Sequence, residues 1–195
     1  MSPLNEQKLN QIRDMRREQI KLSALKMFAL RGFKGTKTSL IAKEAGISEG
    51  LIYRYFNSKD ELFYTLVKEL LKEGDRELEN LNKLPGTPFE QFKSLTLNML
   101  DKENKYPFML IHHAREAEGI PENVKQILAQ YSANTLMDRL LPLFIKGQQL
   151  GEFSAGDARK LLSWYFYTIN SLIMQKQENK EYGMPHVDML MRLLS

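Results

Sequence analysis

The chain has 195 residues, a length that suits one large domain or two small ones, with 43% apolar residues, 27% charged residues and no cysteine. That balance excludes a disordered polymer, and the missing thiols exclude both a disulfide framework and a cysteine-based zinc site. The net charge of +4 is unevenly placed: residues 1–60 carry 12 Lys/Arg against 6 Asp/Glu, while residues 61–195 carry 16 against 18.

A basic head on a slightly acidic body is what a polyanion partner selects, although a solvated face gives the same balance. The opening, MSPLNEQKLNQIRDMRR, has no apolar run of the signal-peptide kind. The longest uncharged stretch, LLSWYFYTINSLIMQ, is 15 residues (161–175), short of the roughly 20 apolar residues a membrane span requires. The chain reads as cytoplasmic.

In chain order, apolar residues recur at helical spacing and no strand alternation stands out. Ile20, Ala24, Met27 and Phe28 form the stripe of a first helix, about Asp14 to Arg31, stopped by Gly32 and Gly35. Arg13, Arg16 and Arg17 precede or open it, either as a basic arm for a minor groove or as a solvated start. A second helix covers roughly Thr38 to Ala45, with Thr38 placed to cap it, and Gly46 breaks it. Ser48 caps a third through Tyr55. Ser58 and Glu61 form a capping box for a long fourth helix, Lys59 to about Leu81. Thr87-Pro88-Phe89-Glu90 restarts the chain with a cap and a proline at the first helical position. Later helices are expected over 88–102, 107–118, 121–148, 154–178 and 186–194, with Ser154 and Asp157 repeating the capping logic.

Two short helices joined by Ala45-Gly46-Ile47-Ser48 make a helix-turn-helix signature. Small residues, Ala42, Ala45 and Gly46, stand where the helices would cross, and Ile41, Ile47, Ile52 and Phe56 are placed to hold the pair from beneath. The second helix can then present its first half to a major groove.

The run TKTSLIAKEAGISEGLIYRYFNSKDELF, Thr36 to Phe63, resembles the DNA-binding head of the tetracycline-repressor (TetR) family of bacterial regulators. The resemblance rests on Thr38, Ile41-Ala42, Ala45-Gly46, Ser48, Gly50, Tyr53, Tyr55-Phe56, Ser58-Lys59 and Leu62, and it covers about residues 14–65. Departures are mild: Ile52 stands for the usual leucine, and Asp60 precedes the acidic Glu61. The resemblance implies an all-α chain of eight or nine helices. Residues 1–60 would form a three-helix DNA-binding domain and residues 61–195 an effector-binding and dimerisation domain.

Roles within the head follow from that likeness and from side-chain chemistry. Tyr53 and Lys59 are similar to the family's phosphate contacts, which fix register without reading sequence. Thr38, Ser39 and Ser48 lie at helix starts, where a hydroxyl and free N–H groups suit a phosphate oxygen or simply cap. Gly50 permits close approach to DNA, or close packing on the second helix. Glu49, Leu51, Arg54 and Tyr55 take the outward face. Glu49 is suited to accept from cytosine, Leu51 to touch a thymine methyl, and Arg54 to read guanine or grip phosphate. The alternative for Leu51 is burial under the first helix.

In the body, Trp164, Tyr165, Phe166 and Tyr167 surround one helix, so more than one of its faces must be covered. With the tail VDMLMRLL it is expected to build a homodimer interface, unless it is a wholly internal core helix. An apolar pocket with polar handles would draw on Phe108, Met109, His112, His113, Tyr131, Met137, Phe144 and Trp164, each of which at helical spacing could equally be core. His112 and Glu116 have the spacing of a metal pair, but three histidines and no cysteine argue against a metal, and no cofactor is expected. No nucleophile–base set, glycine-rich phosphate loop or zinc spacing suggests an enzyme. The expected function is a repressor that holds a palindromic operator as a dimer and is released by a small molecule of unread class.

Overall fold

A computed structural model describes residues 3–81, 83–102, 104–175 and 183–195, with the side chains of residues 3–6 and 133 left aside. Every regular element among them is helical. The helices are α1 (Pro3–Gly35), α2 (Thr38–Ala45), α3 (Glu49–Ile52), α4 (Lys59–Leu81), α5 (Pro88–Leu100), α6 (Lys105–Glu116), α7 (Glu122–Gln130), α8 (Ala133–Gln149), α9 (Ala158–Ile173) and α10 (Val187–Met191). None is long and apolar enough to cross a membrane. The chain condenses into two compact units, Met1–Leu70 with Met109–Ile127, and Leu71–Phe108 with Leu128–Ser195. These bounds fall inside α4, α6 and α7, not at the expected functional division after residue 60.

In the first unit, Ile20, Ala24, Met27 and Phe28 of α1 are buried together with Ile41, Ala42 and Ala45 of α2 and Ile52 of α3. Each large side chain so buried contributes about 1.5–3 kcal/mol. Phe63 of α4 meets the rings of Phe28 and Phe33, both at 4.8 Å between centroids. Gly46 ends α2 in the left-handed conformation (φ 63, ψ 34), and its N–H returns to the Ala42 and Lys43 carbonyls. Glycine adopts that geometry without strain.

Two boundaries here differ from expectation. Helix α1 runs back to Pro3, so Arg13, Arg16 and Arg17 lie within it instead of opening it. Residues 4–13 contain no glycine or proline to stop a helix once it has started. The non-helical backbone of Gly32 (φ 67, ψ 174) then breaks α1 close to its expected end.

The second unit packs α5 against α8, α9 and α10, and α8 against α9. Its centre is aromatic: Phe144 stacks on Phe153 at 4.6 Å, and Phe92 meets both edge-on at 5.8 and 5.4 Å. A Cβ on Gly147 would come within 2.3 Å of the Phe153 ring, so glycine there is what lets that ring lie against α8. Tyr165 is buried, its hydroxyl 2.5 Å from Thr96 Oγ1, and burial pushes its phenol above the ordinary value while the Thr96 bond opposes the shift.

The Thr87 capping box with Pro88 in the first turn forms as expected. The expected helix over 121–148 is instead two, α7 and α8, because Ser132 takes an extended conformation and caps α8 by accepting from the Thr135 N–H. Likewise α9 starts at Ala158, capped by Asp157 and not Ser154. Its expected end at residue 178 lies outside the described residues.

Candidate nucleic-acid interface

A four-residue helix supplies little stability of its own, and α3 is held by its neighbours. Helical turning continues past Ile52 through i→i+3 bonds, Arg54 N–H to Leu51 O and Tyr55 N–H to Ile52 O. From α1, the Arg17 guanidinium donates to Tyr55 O at 2.9 Å and lies 4.2 Å above the Phe56 ring. Gln19 donates to Ala45 O at 2.7 Å, closing the end of α2. Arg17 is therefore held on the turn that follows α3, neither a free basic arm nor a wholly solvated start.

The α1–α2 connection is tied off in the same polar manner. Buried Thr36 donates its hydroxyl to Gly32 O at 2.8 Å, with Met27 O at 3.1 Å. Lys59 donates to Phe33 O and Thr36 O at 3.0 and 3.1 Å, its ammonium 4.1 Å from the centre of the Phe33 ring. Two of its three protons are thus directed into the fold, and the third is left by these contacts.

Thr38 was expected to cap α2, but Lys37 occupies the capping position with extended backbone and no side-chain cap bond. Thr38 is already helical, and a first-turn residue cannot fold its own hydroxyl back onto the N–H groups ahead of it. Its Oγ1 instead donates to the Glu49 carboxylate and lies 3.2 Å from the Tyr53 hydroxyl. A threonine has one hydroxyl proton, so with that proton on the carboxylate, Tyr53 donates to Thr38. Tyr53 and Glu49, one helical turn apart, are thereby joined to the start of α2. Ser48 is at the capping position of α3 but makes no cap bond.

The remaining expected contacts vary in exposure. Ser39, Ser48, Gly50 and Arg54 are exposed and Tyr53 is 50% exposed. Leu51 and Tyr55 are partly buried, so Leu51 is neither a free outward leucine nor a core one. A Cβ added to Gly50 meets no atom of the chain within 4 Å. Packing on the second helix therefore does not require glycine there.

The expected pocket residues are divided between the two units, Met109, His112 and His113 in the first and the others in the second. Phe144 is fully buried in the aromatic centre of the second unit, whereas Trp164 is 63% exposed on α9. Met109 is buried in the first unit. His112 is partly buried, its ring 6.2 Å from that of His113, and Phe108, Tyr131 and Met137 are partly buried. Helix α9 is not wholly internal: Tyr165 and Phe166 point inward, while Trp164 and Tyr167 (74% exposed) point out.

Residues 22–65 match the model of the bacterial regulatory proteins of the tetR family. An uncharacterised helix-turn-helix regulator of Bacillus subtilis, YhgD, is 36% identical over 80 residues, 39% of this chain and 39% of that protein. The chain thus aligns with well under two thirds of that relative's length. The fatty acid metabolism regulator protein of the same organism is 26% identical over 156 residues, 77% of this chain and 78% of that one. In fold, the chain is similar to AibR, solved in complex with isovaleryl coenzyme A and operator DNA, with a TM-score of 0.65 at 15% identity over 91% of this chain and 94% of that one. The head, residues 22–65, is that of the tetR family of bacterial regulatory proteins.

Proposed function

We propose that the chain is a cytoplasmic transcriptional repressor that holds a palindromic DNA operator as a homodimer and releases it when a small molecule binds residues of the 61–195 region. The observation that carries this reading is the grouping of the Thr38 and Tyr53 hydroxyls on α2 and α3, with Lys59 tied into the same head. Hydroxyls and an ammonium are donors that suit phosphate oxygens and fix register. Gly50 adds support, since the space over its Cα is empty and a DNA surface can use it.

Dimerisation is assigned to the outward face of α9, Trp164 and Tyr167, together with α10 and the turn after it, where Met189 and Leu193 are exposed. Large rings left in water on a long helix are what a second copy would cover. Release would be a population shift: an effector that binds one arrangement of α4 better than another moves the head by that difference in affinity and no more. Helix α4 suits this because it starts directly behind the recognition segment and continues as one helix to Leu81. The effector class we assign is an acyl thioester, in keeping with the two similar proteins, one named for fatty acid metabolism and one solved with an acyl coenzyme A.

The test is affinity for genomic DNA fragments across a salt series. Neutralising several phosphates predicts a fall of about 10³-fold or more between 50 and 200 mM salt. Salt-independent binding, or none, would overturn the reading. Isovaleryl coenzyme A added to a selected fragment should release the protein while free coenzyme A does not.

A further inference from the structure

We infer that Glu49 is a specificity-determining residue that acts by occupying, within the protein, the donors a phosphate would take. The inference rests on the DNA-binding reading above. In the unliganded head the donor chain runs from the Tyr53 hydroxyl to Thr38 Oγ1 and from Thr38 to the Glu49 carboxylate. Thr38 spends its proton on the carboxylate, which stands in for an anionic oxygen at the start of α2, and Tyr53 spends its own on Thr38. The nearby ammonium of Lys59 is directed onto the Phe33 and Thr36 carbonyls instead and does not compensate Glu49.

A phosphate arriving at Thr38 and Tyr53 must displace that carboxylate. Glu49 is then an anion beside an anion, without its hydroxyl donor, and the displacement costs binding energy on every sequence. The cost is recovered only where a base edge offers an amino group to the freed carboxylate. In the major groove that means cytosine N4, or adenine N6. Glu49 therefore selects mainly by penalty. Sequences that present only acceptors at that step leave it unpaired, and discrimination exceeds what the contact alone would give.

The test compares the full chain and its Glu49→Gln variant on two duplexes, a selected genomic fragment and a scrambled sequence of the same length. Salt-dependent binding of the unmodified chain to the selected fragment secures the DNA-binding reading by itself, whatever the variant does. Glu49→Gln is expected to bind the scrambled duplex about 5- to 10-fold tighter, with less than about 2-fold tightening on the selected one, the scale of one mismatched contact. Equal tightening on both duplexes, or none on the scrambled one, overturns the inference. A second pair separates the hydroxyl contact from plain charge. In a Thr38→Val background, which lacks the shared donor, Glu49→Gln should change scrambled-duplex affinity by less than about 2-fold, the non-additivity expected of contacting residues. An undiminished gain there means that Glu49 repels DNA at a distance, and the inference fails.

Discussion

The two units solve opposite problems with aromatic residues. In the second, Phe92, Phe144, Phe153 and Tyr165 are packed inward and the spare rings, Trp164 and Tyr167, are left on the surface of α9 as bare apolar area. In the first, three aromatics around the recognition segment have a polar companion: Phe56 carries the Arg17 guanidinium, Phe33 the Lys59 ammonium, and Tyr53 the Thr38 hydroxyl. Of these three only Tyr53 is exposed, and its hydroxyl suits a polyanion. Bare rings make a surface suited to another protein. The difference also explains how a four-residue helix is held in place: it borrows rigidity from tethers on α1 that the longer helices of the second unit do not need.

The contrast can be broken at several points. Phe144→Ala, in the aromatic centre, should cost about 3–5 kcal/mol in urea unfolding followed by circular dichroism; a loss below about 1 kcal/mol would show that the Phe92–Phe153 cluster closes over the gap. Tyr167→Glu should weaken self-association by about 2 kcal/mol or more, roughly 30-fold in Kd, in analytical ultracentrifugation. An unchanged mass distribution would mean that α9 is covered by something other than a second copy. Arg17→Met keeps an apolar stem over Phe56 but removes the donor to Tyr55 O, and should cost about 1–3 kcal/mol. DNA affinity should fall with it, whereas the same stability loss introduced at Phe144 should leave the affinity of the folded protein nearly intact.

Smaller effects sharpen the picture. The Tyr165 phenol is raised by burial, so its neutral form is favoured when folded. Its contribution is complete below the ordinary phenol value near 10 and is lost as pH rises through the higher folded value. Tyr165→Phe should therefore show a shallower alkaline loss of stability and should leave Thr96 its bond to Phe92 O. Gly50→Ala should stabilise the fold slightly, by up to about 0.5–1 kcal/mol, because helical glycine is entropically costly. It should nonetheless weaken DNA binding, the reverse of what packing inside the chain would give.

Much of the architecture could be read from local chemistry. Gly46, the Thr87 capping box and Pro88 mark their boundaries with residues that have few other uses, and the structure follows them. Boundaries without such a signal were harder to see. Nothing in residues 3–13 announces that α1 extends through them, and Ser132 is a cap only because the chain turns there. The head motif identified which residues matter but not what they bond. Thr38 has the place of a cap in the sequence, and its partner Glu49 lies on the next helix, across the Gly46 turn, where helical spacing does not apply. Lys59 has the charge of a phosphate contact, yet the Phe33 and Thr36 carbonyls that hold it are visible only once α1 and α4 are side by side. Trp164 stands exposed on α9: four consecutive aromatics imply coverage on more than one face, but sequence does not say whether the cover is this chain or another.

That outward ring is also the only tryptophan in the chain. Selective excitation therefore reads one solvent-facing indole in the second unit. If a second copy covers α9, the emission maximum should drift to longer wavelength as the protein is diluted through its dissociation constant. Binding of DNA to the head would leave the signal still, unless the helices between respond. A single unlabelled fluorescence trace would then separate assembly from operator capture.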